Sequence, residues 1–247
     1  MKLKKIRLDK LILEQNLIEE KLILPMVMAG EIFINDEKAT SIAQLVDVNS
    51  NLEIRSFKKK YVSRGGFKLE KALEDFKIEV KDLVCADFGA STGGFTDVLL
   101  KNGAEKVYSI ETAKGELDMS LRNDTRVINL EDNSLFSLEN LPLKDNKIDF
   151  AVCDLSFVTL KRALPKIFQL TKNAPMIALL KPHYEAQDES LLRNGIVKDD
   201  ETRMKIVEEF KTWCVENNIK IKNFIESPIK GGSGNGNIEY LVQLQST

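Results

Sequence analysis

The sequence predicts an α/β protein, a mostly parallel sheet covered by helices on both faces, with a small α+β module ahead of it. Three observations carry this. From residue 83 onward, near-continuous apolar runs alternate with helical patterns, as strands buried on both faces require. The first of those runs, LVCADFG, breaks into a glycine-rich turn before the next helix. Before them, residues 1–58 show two helical patterns and then short alternating strands, a unit that buries a marginal core by itself.

In chain order, Leu8, Leu11, Ile12 and Leu17 recur at helical spacing. A second helix over Glu19 to Ala29 stops at Gly30, a C′ glycine, and Pro25 inside it should kink or shorten it. EIFINDEKA alternates about Ile32 and Ile34, with Asn35-Asp36 as turn, and LVDVNSNLEIRS predicts a further strand pair around Asn49-Ser50-Asn51. Residues 59–66 read as a cationic linker, with Gly65-Gly66 before a helix over Phe67 to Phe76, so that the second domain runs 67–247. Its strands are LVCADFG, KVYSIE, RVINLE, IDFAVCDLSF, MIALLKP, Ile219–Glu226 and Ile238–Leu244, seven in all. Its further helices cover Gly93–Asn102, Leu160–Leu170 and Thr202–Asn217.

Composition narrows the function classes. With 247 residues, 43% hydrophobic and 30% charged, the chain is neither disordered nor a disulfide scaffold. A net charge of −2 excludes a globally basic nucleic-acid binder, but not a locally basic one. Cations cluster at Lys4, Lys5 and Arg7 and again at Arg55, Lys58, Lys59, Lys60 and Arg64, which makes these the candidate nucleic-acid contacts. Cys85 and Cys153 sit in strand-like runs, and no CxxC occurs, which fits a reducing cytoplasm. One histidine, His183, excludes a His-rich metal site, and no metal is expected. No apolar run reaches the roughly 20 residues that span a bilayer, so no membrane partner is expected either.

Ligands in such sheets bind at the carboxyl ends of strands. The first strand ends in Asp87-Phe88-Gly89-Ala90-Ser91-Thr92-Gly93-Gly94-Phe95-Thr96, and the second in Glu111. A glycine turn plus a second-strand acid that can accept from ribose hydroxyls implies a nucleoside-bearing cofactor of unspecified kind. The spacing is not GxGxxG, and Asp87 suits a cationic cofactor better than a pyrophosphate. Thr112, Asp132 and Asn133 lie at neighbouring strand ends. Asp154 closes the fourth strand, Lys181 the fifth, Glu239 opens the last, and Lys68 precedes the first, so two lysines and two carboxylates meet at one rim. A lysine beside another cation, partly desolvated, has a lowered pKa and can act as a base. The same turn also matches G-x-S-x-G, and Ser91, Asp154 and His183 follow hydrolase order. Against that, His183 falls two residues past Lys181, and no earlier strand furnishes an oxyanion-hole loop.

Taken together, YVSRGGFKLEKAL, DFGASTGGFTDVLL, CDLSF, LLKPHYEA and SPIKGGSGNGNIEYL resemble the TlyA family, bacterial proteins known both as haemolysins and as ribosomal-RNA 2′-O-methyltransferases. The resemblance implies an S4-like RNA-binding domain (1–58) joined to an FtsJ-like, Rossmann-like class I methyltransferase domain with S-adenosylmethionine as cofactor. It implies cytidine 2′-hydroxyls of small- or large-subunit rRNA as substrate. It places the family's Lys, Asp, Lys, Glu set on Lys68, Asp154, Lys181 and Glu239, with neutral Lys181 as base, steered by Asp154 and its pKa depressed by Lys68. The cofactor residues are then Asp87, Gly89, Ala90, Ser91, Gly93, Gly94, Phe95, Thr96, Glu111, Thr112, Asp132, Asn133 and Asp154. Departures from the family pattern are Pro25, Glu19-Glu20 in place of basic residues, Glu111-Thr112-Ala113-Lys114-Gly115, the Gly- and Ser-rich loop Gly231 to Asn237, and the basic start. The alternatives are a membrane-active haemolysin and an RNA-binding assembly factor without catalysis.

Overall fold

The computed structural model describes residues 5–28, 30–54, 60–139, 147–186, 188–231 and 236–246. The chain divides into two compact units, Met1–Lys60 and Tyr61–Thr247.

The first unit runs β1 (Lys5–Arg7), α1 (Leu8–Glu14), α2 (Glu20–Met28), β2 (Ile32–Ile34), β3 (Glu37–Lys38), β4 (Leu45–Asp47) and β5 (Leu52–Ile54). Leu8, Leu11 and Ile12 of α1 pack with Ile23, Val27, Ile32 and Val46 into one small core. The C′ glycine is as expected: Gly30, at φ +69, donates to Val27, and Glu31 donates to Met26. Helix α2, however, runs through Pro25. The bond that Pro25 forgoes is to the carbonyl of Lys21, an exposed residue whose oxygen solvent can satisfy. Asn35 and Asp36, both at positive φ, turn β2 into β3. The strand pair expected around Asn49-Ser50-Asn51 does not form. Instead β4 pairs with β1, and β5 with β2. The Asp47 carboxylate accepts from Asn49, and Asn51 exchanges hydrogen bonds with Asn35, which carries β5 away from β4 to the edge of β2. The basic start therefore supplies a strand at Lys5–Arg7.

The second unit runs α3 (Gly65–Phe76), β6 (Val84–Phe88), α4 (Gly94–Lys101), β7 (Lys106–Ile110), α5 (Met119–Arg122), β8 (Val127–Leu130), β9 (Phe150–Cys153), α6 (Leu160–Thr171), β10 (Met176–Leu180), α7 (Pro182–Glu185), a 3-10 turn, β11 (Leu192–Arg193), β12 (Ile196–Val197), α8 (Asp200–Glu216), β13 (Ile219–Glu226) and β14 (Tyr240–Ser246). The seven-stranded sheet has the order β13-β14-β10-β9-β6-β7-β8. Strands β6 to β10 are parallel, and β14 is antiparallel to both of its neighbours.

Strand periodicity divides the two cores. Val84, Ala86 and Phe88 of β6 face one and Cys85 the other; Met176, Ala178 and Leu180 of β10 face one, Ile177 and Leu179 the other. Strand order reverses about β6, with β7 on one side and β9 on the other, which opens a crevice beyond their carboxyl ends. Helix α3 starts at Gly65, so the two glycines form its first turn instead of preceding it. A Cβ on Gly66 would meet the Tyr61 ring at 2.5 Å, and one on Gly94 the Ser63 hydroxyl at 2.2 Å. Those contacts let the 61–65 segment lie close against α3 and α4. Tyr61 is buried and donates to Glu70, and the Val62 N–H donates to Asp97. Residues 61–64, expected as linker, therefore pack within the second unit.

Candidate active site

Two adjoining cavities lie over the crevice. One, of about 380 Å³, is lined by Gly89, Ser91, Glu111, Thr112, Asn133, Leu135, Phe136, Asp154, Phe157 and Val158, among others. The other, of about 250 Å³, is lined by Ser63, Arg64, Lys68, Gly89, Ala90, Ser91, Thr92, Gly94, Phe95, Asp154, Ser156, Lys181 and Lys230, among others.

The glycine turn is shaped by contact with β9. Gly89 sits at φ +85, and a Cβ there would lie 2.4 Å from the Asp154 carbonyl. Glu111 braces the turn from the other side. Its Oε2 accepts from the Ser91 N–H at 2.9 Å, and its Oε1 accepts from Thr112 N–H, Thr112 Oγ1 and Ala113 N–H. Half-burial works to raise its pKa, but these donors outweigh burial and hold the carboxylate below its ordinary value.

Asp87 is fully buried below the turn. Its Oδ2 accepts from Thr96 Oγ1 at 2.7 Å, while Oδ1 has no partner. Burial, with the charges of Asp154 and Glu111 adding, pushes its pKa up to about 7. A turn ringed by Asp87, Glu111 and Asp154 repels a pyrophosphate and suits a cationic group. The orphaned Asp87 oxygen and the crowded Gly89 thus fit S-adenosylmethionine, which carries a sulfonium and an ammonium.

The three strand-end charges and Lys68 of α3 form two ion pairs at one cleft. Lys68 Nζ donates to Glu239 Oε2 at 2.6 Å, and both groups are largely buried. Lys181 Nζ lies 2.7 Å from Asp154 Oδ1 and 3.4 Å from Ser156 Oγ. Gly231 covers Glu239, since a Cβ there would come within 2.7 Å of its Oε1. A third cavity, of about 570 Å³, brings Lys68, Lys181 and Glu239 together with His183 and Tyr184.

This pairing corrects the expectation of a neutral Lys181. Burial does act to lower its pKa, but Asp154, through charge and hydrogen bonding, and then Glu239 outweigh burial and hold the ammonium above its ordinary value. Lys68 is itself paired with Glu239 at 2.6 Å, and the Glu239 charge is among those that raise Lys181. The same cations, after burial, push His183 down to about 4. Its Nδ1 has no partner, and no hydrogen bond joins it to Ser91 or Asp154 among the described residues, so the hydrolase arrangement is not assembled.

Other expected residues scatter. Asp132 is exposed and pairs with Lys114 at 2.8 Å, leaving Asn133 to line the cavity. Gly93 packs under Leu117 and Leu121, and Thr96 is buried against Asp87 and Ser109. Of the candidate RNA contacts, Lys4, Arg55, Lys58 and Lys59 lie outside the described residues. Lys5 is exposed, Arg7 pairs with Asp9 at 2.6 Å, Lys60 closes the first unit, and Arg64 lines the cleft beside Lys68.

Sequence reasoning missed Ser63, Thr92, Ser156, Phe136 and Phe157 as lining residues. Phe157 is 89% exposed at φ +63, in the loop after β9, and an aromatic side chain three residues after the strand-end Asp154 was its one available signal. Glu185 was also missed. It is buried, accepts from the Leu160 N–H at the start of α6, and burial pushes it up to about 7. It thereby ties the loop carrying Lys181 to the loop carrying Asp154.

Residues 61–246 match the FtsJ-like methyltransferase family. The chain is 39% identical over 220 residues to Hemolysin A of Brachyspira hyodysenteriae, covering 89% of this chain and 90% of that one. It is 34% identical over 223 residues to the 16S/23S rRNA (cytidine-2'-O)-methyltransferase TlyA of Mycobacterium tuberculosis, covering 90% and 82%. A solved Streptococcus thermophilus structure that carries the hemolysin name superposes with a TM-score of 0.74 at 36% identity, over 99% of this chain and 90% of that one. With the glycine turn, the Glu111 carboxylate and the two lysine–carboxylate pairs in one cleft, these similarities establish that the chain belongs to the TlyA family of FtsJ-like methyltransferases.

Proposed function

We propose that this protein methylates the 2′-hydroxyl of cytidine in ribosomal RNA, using S-adenosylmethionine. The observation that supports this most directly is the junction of two unlike sites: the glycine-turn cavity with its Glu111 carboxylate, and the cleft holding Lys68, Asp154, Lys181 and Glu239. Relatives named as rRNA (cytidine-2'-O)-methyltransferases, from Mycobacterium tuberculosis and Campylobacter jejuni, support the substrate class.

Bound at the turn, S-adenosylmethionine supplies an electrophilic methyl group on a sulfonium that leaves as a neutral thioether. Glu111 and Asn133 would hold the ribose end, while Gly89 to Phe95 and Asp87 would hold the charged end. The remaining work is alignment and one proton. The Lys68–Glu239 pair fixes the substrate ribose, and Lys181, steered by Asp154, takes the 2′-hydroxyl proton once it has lost its own. Because Asp154 holds that ammonium charged, the reaction speeds up as pH rises toward the alkaline side.

The first unit and the cations flanking its end supply phosphate contacts, which position without reading sequence. This is the S4-like role assigned to residues 1–58. Among the described residues no helix is long and apolar enough to cross a membrane, and we place the work at ribosomal particles in the cytoplasm.

The test is tritium transfer from labelled S-adenosylmethionine to purified ribosomal subunits, with mapping of the methylated nucleotides; label at no ribose 2′-oxygen would refute the assignment. A chain starting at Tyr61 should keep cofactor affinity and lose transfer to subunits. Equal transfer by that shortened chain would remove the docking role from the first unit.

A further inference from the structure

The β11–β12 hairpin contributes nothing to the two hydrophobic cores, yet it is firmly registered to the site. Each strand is two residues long, and Arg193, Asn194, Gly195 and Ile196 are exposed. A pairing that short has little stability of its own. Asn237 holds it. The buried Asn237 amide donates from Nδ2 to the Gly195 carbonyl at 2.8 Å and accepts at Oδ1 from the Val197 N–H at 2.9 Å. One side chain thus grips both sides of the turn, as an added strand would.

Asn237 stands two residues before Glu239, and its carbonyl accepts from the Gly231 N–H that covers that carboxylate. The cavity of about 570 Å³ opens between Leu192 and Gly195 of the hairpin and Lys68, Lys181 and Glu239. Neither Gly89 nor Glu111 lines it, though it shares Lys68, Ser156, Lys181 and Gly231 with the cavity that the glycine turn lines.

We propose that this hairpin is an RNA-docking arm, which holds the sugar–phosphate strand beside the target nucleotide, with Asn237 as the latch that sets its distance from the four charges. The inference rests on the functional reading above. Three features favour an RNA strand. No acid occurs from Leu192 to Lys198. Lys198 is faced by Asp188 and Asp199, but Arg193 has no ion-pair partner among the described residues, which leaves its guanidinium to a phosphate. A Cβ on Gly195 would meet nothing within 4 Å, so the tip leaves room for a close backbone approach.

The experiment uses the full chain with Arg193→Glu, Arg193→Lys and Asn237→Ala. It measures KM for ribosomal RNA by tritium transfer, S-adenosylmethionine affinity by calorimetry, and direct binding of a fluorescent rRNA fragment at several salt concentrations. For Arg193→Glu we expect KM and the RNA Kd to rise about ten-fold and the salt slope to fall by about 0.7, one phosphate contact on a single strand. Cofactor affinity stays put, and Arg193→Lys restores most of the loss. Asn237→Ala raises the RNA KM in the same direction and also lowers kcat, because the latch adjoins Glu239. Unchanged RNA Kd and salt slope in Arg193→Glu would overturn the docking arm and leave a plain connector. If wild-type protein bound RNA but transferred no methyl, the methylation reading would fail, and the Kd comparison would still decide the hairpin.

Discussion

The two sides of the cleft are made of different material. On the side proposed for the cofactor the lining is main chain, namely the 89–94 turn, held in place by Glu111 accepting from Ser91, Thr112 and Ala113. On the side proposed for the substrate the lining is two lysine–carboxylate pairs held in a largely buried pocket. A main-chain surface tolerates most side-chain changes and fails at the glycine that admits no Cβ. A surface made of paired charges fails when one partner goes, because the survivor is left buried and unpaired. Binding and chemistry should therefore respond separately to mutation.

The largest expected effect is on the charged side. Lys181→Ala should cut single-turnover transfer by about 10²- to 10⁴-fold, the range of a lost acid–base group. Cofactor affinity by calorimetry should stay within a few-fold. Retained turnover would make Lys181 a mere rim cation and dissolve the contrast. On the other side, Glu111→Ala should weaken S-adenosylmethionine by about 1.5–3 kcal/mol if its carboxylate accepts charge-assisted ribose hydrogen bonds. Part of that loss comes through the turn, since Ser91 N–H loses its acceptor. Unaltered affinity would shift the ribose contact to Thr112 or Asn133.

Asp154→Asn sharpens the comparison by pH. Its charge is what holds the Lys181 ammonium above its ordinary value. Removing that charge should lower the Lys181 pKa, so the rising limb of the pH–rate profile moves toward acid even as the maximal rate drops. An unmoved limb would mean that another group supplies the base.

The smallest effect is on stability. Burial raises Glu185 from 4.5 and Asp87 from 3.8 to about 7 in the folded chain. A raised folded-state pKa stabilises fully below the unfolded value, and that stability is lost as pH rises through the folded one. Between about pH 4.5 and about 7 these two groups therefore pull Tm down, against His183, whose depression to about 4 pulls it up, and in thermal unfolding the Tm of Glu185→Gln should gain on wild type across that window. A Tm difference between Glu185→Gln and wild type that stays constant across this window would contradict the Glu185 assignment.

Most of the second unit was legible because its strands are buried on both faces, so β6, β9 and β10 stand out as apolar runs with charge at their ends. Asp154, Lys181 and Glu239 were found that way. What escaped has no period to read. Helix α5 and the strands β11 and β12 are two to four residues long, too short for any periodicity to register. The partner of β5 depended on an Asn35–Asn51 exchange across 16 positions, not on the local turn. The protonation of Lys181 depends on which carboxylate comes within 3 Å of it, which strand-end position does not specify. Asp132 and Asn133 are adjacent, and only the backbone at φ +59 decides which of them faces the cavity.

The chain's three cysteines are buried, and none forms a disulfide. Burial pushes the Cys85 and Cys214 thiols up to about 12 and Cys153 higher still, so none offers a thiolate at neutral pH. For maleimide chemistry the native protein behaves as a cysteine-free scaffold. A single Asn194→Cys change at the exposed hairpin tip would therefore take one dye at one known place, with no background thiols to remove first, and would report hairpin movement by fluorescence in the otherwise unmodified enzyme.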